Sequence, residues 1–342
     1  MVEEISKELL KHVEKILVKY GAKTWMQGYR PKGGQGLPLY VWLTGTKMMF
    51  NTLADKDLTY SMAERGYAAV QVYYPNYYYH DTCAYMDQKA SAIFQGQGSA
   101  LDVMCNQPYV DCSKGVAVHG FSQGAHLAAL SPNYDRRITA VLLYGNGNFA
   151  HGATSGRHRR LSVEAVRSNH RCLRYSGLPH LRVGKNKVRS IVGGHDKFMG
   201  PTVGEAVQQQ EITTGYNCGD TQTNCIQPDG SGYYVITEPR SNMNHDFFCY
   251  LLYWPRNDWR VGNAPWCKNP SLDWLAHAAH TSGATVRMKV ANDTTLDIVA
   301  NASADVIQEF GLDPPLRAAT ARRGLAKIGA AAAAALLPGA LA

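Results

Sequence analysis

The chain has 342 residues, with 35 Lys and Arg against 27 Asp and Glu, a formal net charge of +8 and a hydrophobic fraction of 45%. This amount of apolar material excludes wholesale disorder, and the absence of any apolar run of about 18 residues excludes an ordinary multi-span membrane protein. The length allows one large α/β domain with insertions, or two small domains.

The first 20 residues place charged and apolar side chains at helical spacing, which predicts an amphipathic helix in an N-terminal segment, residues 1–30. This segment lacks the uninterrupted apolar run of a secretory signal peptide. Three interpretations follow: the start is trimmed, the gene model lacks an exon, or the protein is intracellular.

Short apolar segments then alternate with helical segments through the middle of the chain. Strands are predicted at residues 38–44, 67–73, 115–119, 138–144, 188–192 and 232–237. Helices are predicted at 53–65, at 88–104 with an interruption near residues 95–98, at 123–130 and from 246 to 253. This alternation indicates an α/β fold with a mostly parallel central sheet and helices on both faces, in a domain of residues 31–280. Residues 281–342 lose their aromatics and are predicted to form a low-complexity tail.

Positive charge is concentrated in one part of this domain. Residues 151–190 contain ten Lys and Arg and a single acid, Glu164. The segment falls between the fourth and fifth predicted strands, so we expect residues 151–187 to form a basic cap insertion over the sheet edge that carries the site. It is either a solvated basic face or a positive rim that steers an anionic substrate or surface. No motif supports nucleic-acid binding.

The cysteines favour an oxidising compartment. Several lie in polar, Gly- and Asn-rich surroundings that are typical of loop disulfides. The natural local pairs are Cys218 with Cys225 and Cys105 with Cys112, although the connectivity of the eight cysteines stays open. Acceptor sites at Asn292 and Asn301 point to a glycoprotein. We therefore expect an extracellular or secretory-pathway protein, against the evidence of the N-terminus.

The C-terminal residues 328–342 are rich in Ala and Leu and follow a pair of arginines. This stretch is too short to span a bilayer comfortably. It is either a GPI-attachment signal that is cleaved, or a low-complexity tail.

The strongest chemical signal is Gly120-Phe121-Ser122-Gln123-Gly124, between an apolar strand and a helix of small residues. A nucleophile elbow places its Ser on a strained strand-to-helix turn, where the flanking glycines allow close backbone approach. The helix N-terminus and the Gln123 N–H would then stabilise an oxyanion. The alternative is a structural Gly-rich turn.

From these residues the sequence resembles the α/β-hydrolase superfamily, in particular its dienelactone-hydrolase-like and carboxylesterase members, over about residues 37–253. The resemblance implies the chain order Ser, acid, His. The acid candidate is Asp196, after a strand that runs into Gly-Gly, and the His candidate is His245, after the last predicted strand. Asp196 could instead cap the next helix. The weaker rivals are Glu205 and Asp220 for the acid, and His126 and His195 for the base.

The resemblance also implies the second oxyanion donor, the N–H of Thr46 in the loop after the first predicted strand. The family's usual His-Gly motif is absent, because Thr44 stands in place of the His. The loop after the second predicted strand has five tyrosines in seven residues; it either lines an acyl or aryl pocket, with Tyr74, Tyr77 and Tyr78 as candidates, or packs as an aromatic loop.

We therefore predict a serine hydrolase that cleaves carboxylic esters through Ser122, His245 and Asp196 by way of an acyl-enzyme. The substrate would be a small-molecule or polymeric ester, and we expect a monomer without cofactor or metal. The alternatives are a peptidase or polyester depolymerase with the same triad, or a catalytically silent hydrolase fold that serves binding.

Overall fold

The structure, a computed structural model, describes residues 12–22, 24–77, 83–146, 183–196, 198, 202–238, 243–248, 258–280, 285–289 and 295–299. Most of the predicted cap (151–182), Tyr78, Asn292, Asn301 and the tail beyond 299 lie outside the described residues. In the part of the chain that is described, no helix is long and apolar enough to cross a membrane.

The strands are β1 Val13–Tyr20, β2 Thr24–Pro31, β3 Leu39–Leu43, β4 Ala68–Val72, β5 Val116–Phe121, β6 Ile138–Tyr144, β7 Val188–Gly193, β8 Asn224–Ile226, β9 Gly232–Ile236, β10 Thr285–Lys289 and β11 Thr295–Val299. The helices are α1 Leu53–Glu64, α2 Cys83–Phe94, α3 Ala100–Cys105, α4 Gln123–Leu130, α5 Val203–Thr214, α6 Asp258–Val261 and α7 Lys268–Ala279.

Nine of these strands form one sheet in the order β1-β2-β4-β3-β5-β6-β7-β9-β8. The strands from β4 to β9 in that order pair in parallel, and the antiparallel pairs are β1 with β2, β2 with β4, and β8 with β9. The predicted α/β fold with a mostly parallel sheet is therefore confirmed. Parallel strands have their carboxyl ends at one edge of the sheet, so the loops that follow β3, β4, β5, β6, β7 and β9 meet there.

The sheet is buried on both faces. Along β3, alternate side chains point to opposite faces: Leu39, Val41 and Leu43 join the core under α2, α3 and α4. Tyr40 and Trp42 join the core under α1 and α7. Burial on both faces explains why these strands appear in the sequence as continuous apolar runs instead of alternating ones.

The prediction of an N-terminal helix is wrong over its described part. Residues 13–20 form β1, which pairs antiparallel with β2 in a hairpin at the edge of the sheet. In β1, Ile16 and Tyr20 are buried, whereas Lys15, Leu17 and Lys19 are exposed. The exposed side chains at 15, 17 and 19 alternate with less exposed neighbours in the folded structure, as in a strand with one covered face.

Other element boundaries also differ from the predictions. The helical stretch predicted at 88–104 is broken where expected, between α2 and α3, by glycines at positive φ (Gly96 and Gly98), but α2 begins five residues earlier than predicted, at Cys83. The helix predicted from 246 is a turn over residues 246–248, and its remainder lies outside the described residues. An antiparallel hairpin, β10 with β11, forms where the low-complexity tail was expected to begin.

Two disulfides close short loops, Cys105–Cys112 and Cys218–Cys225. Both pairs are those predicted from local spacing. They are compatible with an extracellular protein, because disulfides persist in oxidising compartments.

Candidate active site

Ser122 lies at the sharp turn between β5 and α4. Its backbone has φ 55° and ψ −119°, a region that a non-glycine residue enters only at a cost of about 1–3 kcal/mol. Two hydrogen bonds hold this conformation: its N–H donates to Tyr144 O (2.9 Å), and its carbonyl accepts from His126 N (3.1 Å). The turn therefore stores strain and holds the hydroxyl in one place at the carboxyl edge of the sheet.

The glycines on either side of Ser122 are required by close backbone contacts. A Cβ on Gly120 would lie 2.1 Å from the carbonyl oxygen of Gly124, and a Cβ on Gly124 would lie 2.2 Å from the carbonyl oxygen of Leu43. These contacts press the first turn of α4 against the end of β3. The loop that follows β3 is thereby brought next to Ser122.

The structure brings Ser122, His245 and Asp196 into one hydrogen-bonded relay. Ser122 Oγ lies 2.8 Å from His245 Nε2, and His245 Nδ1 lies 2.7 Å from Asp196 Oδ2. A carboxylate accepts at Nδ1–H, so the imidazole presents Nε2 to the serine as an acceptor. Asp196 is fully buried, and its other oxygen, Oδ1, accepts from the N–H of Phe198 (3.0 Å).

The loops that carry the acid and the histidine are joined to each other. The N–H of His195 donates to Met243 O (2.8 Å), and the N–H of Gly194 donates to Ile236 O (2.8 Å). A Cβ on Gly193 would lie 2.0 Å from Met243 O, so only glycine permits this approach. The Gly-Gly pair before Asp196 thus sets the distance between the acid and His245.

Two phenylalanines hold the imidazole of His245. The ring centroids of Phe121 and Phe198 lie 4.8 and 4.7 Å from that of His245. Phe198 keeps 47% of its surface exposed. A half-exposed aromatic ring beside the base is a feature that the sequence reasoning missed, although the position two residues after the acid candidate was the available signal.

The loop of residues 44–48 is fixed from the loop after β4. Asn76 donates through its side chain to Gly45 O (2.8 Å) and Met48 O (3.0 Å), and its carbonyl accepts from Lys47 N (3.0 Å). The N–H of Met48 points back to Gly45 O (3.4 Å). The N–H groups of Lys47 and Met48 are thus engaged within this part of the fold, and the role of the Thr46 N–H as an oxyanion donor stays a prediction. Asn76 was not singled out from the sequence.

For Tyr74 the structure supports the second interpretation, a packed aromatic loop, and the pocket roles of Tyr77 and Tyr78 stay predictions. Tyr74 is 2% exposed, and its hydroxyl donates to Thr44 O, so it braces the loop 44–48 instead of lining a pocket. Burial raises the pKa of Tyr74 above its ordinary value, which keeps the hydroxyl a donor. Tyr77 is 66% exposed. Tyr78 lies outside the described residues.

The rival candidates have other partners. Glu205 forms a capping box with Thr202 at the start of α5. His126 is buried inside α4, and His195 contributes its backbone to the acid loop. Asp220 is exposed in the loop closed by the second disulfide. Among the described residues, no group of three or more His, Cys, Asp or Glu is placed to hold a metal ion.

Comparison with known proteins gives matches in structure alone. No family model and no curated protein matches the sequence. An esterase of Pyrococcus furiosus, Pf2001, is similar with a TM-score of 0.50 and 14% identity, over 80% of this chain and 95% of that one. A cold-adapted esterase from an Arctic intertidal metagenomic library has a TM-score of 0.49 and 14% identity, over 79% and 95%. A putative dienelactone hydrolase of Klebsiella pneumoniae subsp. pneumoniae has a TM-score of 0.44 and 14% identity, over 77% and 98%.

Proposed function

We propose that this chain, which has the α/β-hydrolase fold, is a serine hydrolase that cleaves carboxylic esters. The observation that carries the proposal is the relay from Ser122 through His245 to a fully buried Asp196, with both hydrogen bonds under 3 Å. Each group has the role that its partner requires: a hydroxyl donor, an imidazole acceptor and a buried carboxylate that fixes the imidazole.

The proposed reaction is acyl transfer in two steps. His245 Nε2 takes the proton of Ser122 as its Oγ attacks the ester carbonyl, and returns that proton to the departing alcohol. Water, activated by the same imidazole, then hydrolyses the acyl-enzyme.

The negative oxygen that develops in each step would accept from the N–H groups of Gln123 and Thr46. The first lies at the N-terminus of α4 and the second in the loop that α4 packs against. A donor of this kind lowers the activation barrier by about 3–4 kcal/mol.

The choice of an ester as substrate is supported by the Pyrococcus furiosus protein, which has the same fold and is named an esterase. We further propose that the ester carries an apolar group. This is supported by Phe198, whose exposed ring lies against the imidazole of His245. Exposed aromatic surface at a site contributes binding energy for an apolar or aromatic group of the substrate.

The test is covalent labelling by a fluorophosphonate probe together with hydrolysis of a series of p-nitrophenyl esters. The proposal predicts a phosphonylated peptide that contains Ser122, found by mass spectrometry. It also predicts release of p-nitrophenol from the esters, which should fall in proportion as the probe labels the protein. Labelling at a different residue would reject the nucleophile. Absence of both labelling and hydrolysis would favour the alternative of a catalytically silent hydrolase fold that serves binding.

Phe198→Ala is expected to raise KM for p-nitrophenyl butyrate about tenfold, with a smaller change for the acetate. The reason is that the ring forms the exposed apolar wall beside His245. Leu17→Ala is the matched control, since Leu17 is an exposed apolar residue on β1 (74%) away from the relay. Equal KM values for the butyrate in wild type and Phe198→Ala would show that substrate binds elsewhere.

A further inference from the structure

A buried lysine lies behind the residue that follows the nucleophile. Lys89, on α2, is 7% exposed, and its Nζ lies 3.3 Å from Oε1 of Gln123. Lysine is among the residues least often buried, because removing an ammonium from water is costly. A polar contact such as the one with Gln123 Oε1 offsets part of this cost.

Gln123 is the first residue of α4, and its side chain is fully buried. A charge-assisted hydrogen bond to Oε1 restrains this residue. The backbone N–H of the same residue is the oxyanion donor proposed above, so an anchored side chain also limits the freedom of that N–H.

The positive charge of Lys89 lies near another positive group, the N-terminus of α4. The N-terminus of a helix is positive and favours anions, so a cation beside the first residue of α4 is unfavourable in the resting protein. The balance changes when an oxyanion forms at that helix end. An interaction that becomes favourable only in the transition state lowers the barrier without tightening substrate binding.

We propose that Lys89 is a positioning residue of the ester hydrolysis proposed above, on which this inference rests. It holds Gln123 in place and supplies positive charge behind the oxyanion site. Its removal should lower kcat and leave KM nearly unchanged.

The protonation of Lys89 adds a signature in pH. Burial lowers the pKa of Lys89 to about 8. The ammonium is present below that pH and is lost above it. Hydrolysis that needs a neutral imidazole rises from acid toward neutral pH, so the wild-type kcat should then fall along an alkaline limb near pH 8.

The Lys89→Met and Lys89→Arg variants described below test whether such a limb belongs to Lys89 or to other titratable groups. The described ones on α2 and on the elements packed against it are Asp87, Asp102, His126, Tyr134 and Tyr74. Burial raises the pKa values of Tyr134 and Tyr74 above the ordinary tyrosine range.

The experiment compares kcat and KM for a soluble p-nitrophenyl ester across about pH 6 to 10 in wild type, Lys89→Met and Lys89→Arg. Lys89→Met is expected to lose about tenfold in kcat, to keep KM within about twofold and to lack the alkaline limb. Lys89→Arg keeps its charge at all these pH values, so it should recover most of kcat and show no limb near pH 8.

Lys268→Met is the matched control. Lys268 is equally buried (7% exposed) but pairs with Asp57, outside the relay (Nζ to Oδ1 3.0 Å). Its loss should lower stability and leave kcat, KM and the alkaline limb unchanged. If Lys89→Met does not fold, the position of the limb in Lys89→Arg decides alone: a limb that stays near pH 8 overturns the inference.

A double-mutant cycle with Gln123→Met tests whether Lys89 acts through Gln123. The loss of kcat caused by Lys89→Met should be smaller in the Gln123→Met background, which keeps the backbone N–H; the part that remains reflects the charge of Lys89 itself. An undiminished loss in that background would overturn the positioning role. An active wild type with unchanged Lys89→Met kinetics rejects this inference alone, whereas an inert wild type rejects the proposed function as well.

Discussion

Replacement of Ser122 by Ala is expected to lower kcat for a p-nitrophenyl ester by a factor of about 10⁴ to 10⁶, which removes nearly all measurable turnover. Alanine lacks the hydroxyl that lies 2.8 Å from His245 Nε2, so no acyl-enzyme can form. The residual rate would come from the oxyanion donors and substrate binding alone. The measurement is steady-state kinetics together with fluorophosphonate labelling, which should also vanish.

The matched control is Ser190→Ala. Ser190 is a fully buried serine on β7, and its hydroxyl finds no hydrogen-bond partner among the described residues. Removing an unsatisfied buried hydroxyl should leave kcat unchanged and keep or raise the free energy of unfolding. Ser122→Ala that retains wild-type turnover would reject the nucleophile, and the relay would then be a structural hydrogen-bond chain.

The elbow could be found from the sequence because its requirements are local. A buried strand, two glycines around a serine and a helix of small residues are contiguous in the chain, so the motif is complete in one short stretch even though Gly124 makes its close contact with β3. Asp196 has a comparable local signature, since the Gly-Gly pair before it is needed for the approach to Met243. His245 depended more on the family order of the three residues than on its own surroundings.

The N-terminal hairpin could not be separated from a helix by spacing alone. Ile16 and Tyr20 are four residues apart, and positions four apart share a face in a helix and in a strand alike. What decides between them is pairing with β2, and of β2 with β4, a partner about fifty residues away in the chain. Such a partner is not visible in a local pattern.

The supporting residues of the site were missed for the same reason. Asn76 and Tyr74 act on the loop 44–48, and Lys89 acts on Gln123; each contact joins two segments that only the folded sheet brings together. In the sequence, Tyr74 is one of five tyrosines and was assigned to a pocket. Its burial and its bond to Thr44 O show that it supports the loop instead.

Gly124→Ala is expected to lower the free energy of unfolding by about 3 kcal/mol or more, which corresponds to a fall in Tm of roughly 6–12 °C. The added Cβ would lie 2.2 Å from Leu43 O and 2.6 Å from Thr44 O. Both neighbours are backbone atoms, so the conflict cannot be relieved by a rotamer change. Either α4 must move away from β3, or the end of β3 must shift.

Both movements would also harm catalysis, because they separate the two proposed oxyanion donors, Gln123 on α4 and Thr46 beyond β3. The fraction of protein that stays folded should therefore show a lower kcat with Ser122 still in place. Chemical denaturation, a thermal melt and kinetics on the same sample measure the two effects.

Gly204→Ala gives the matched control. Gly204 is the second residue of α5, and a Cβ there meets nothing within 4 Å. Alanine in a helix interior is favoured over glycine, so this variant should gain about 0.5–1 kcal/mol and keep full activity. Equal stability of Gly124→Ala and wild type would mean that the elbow does not press on β3, and the proposal that Thr46 and Gln123 share one oxyanion site would lose its support.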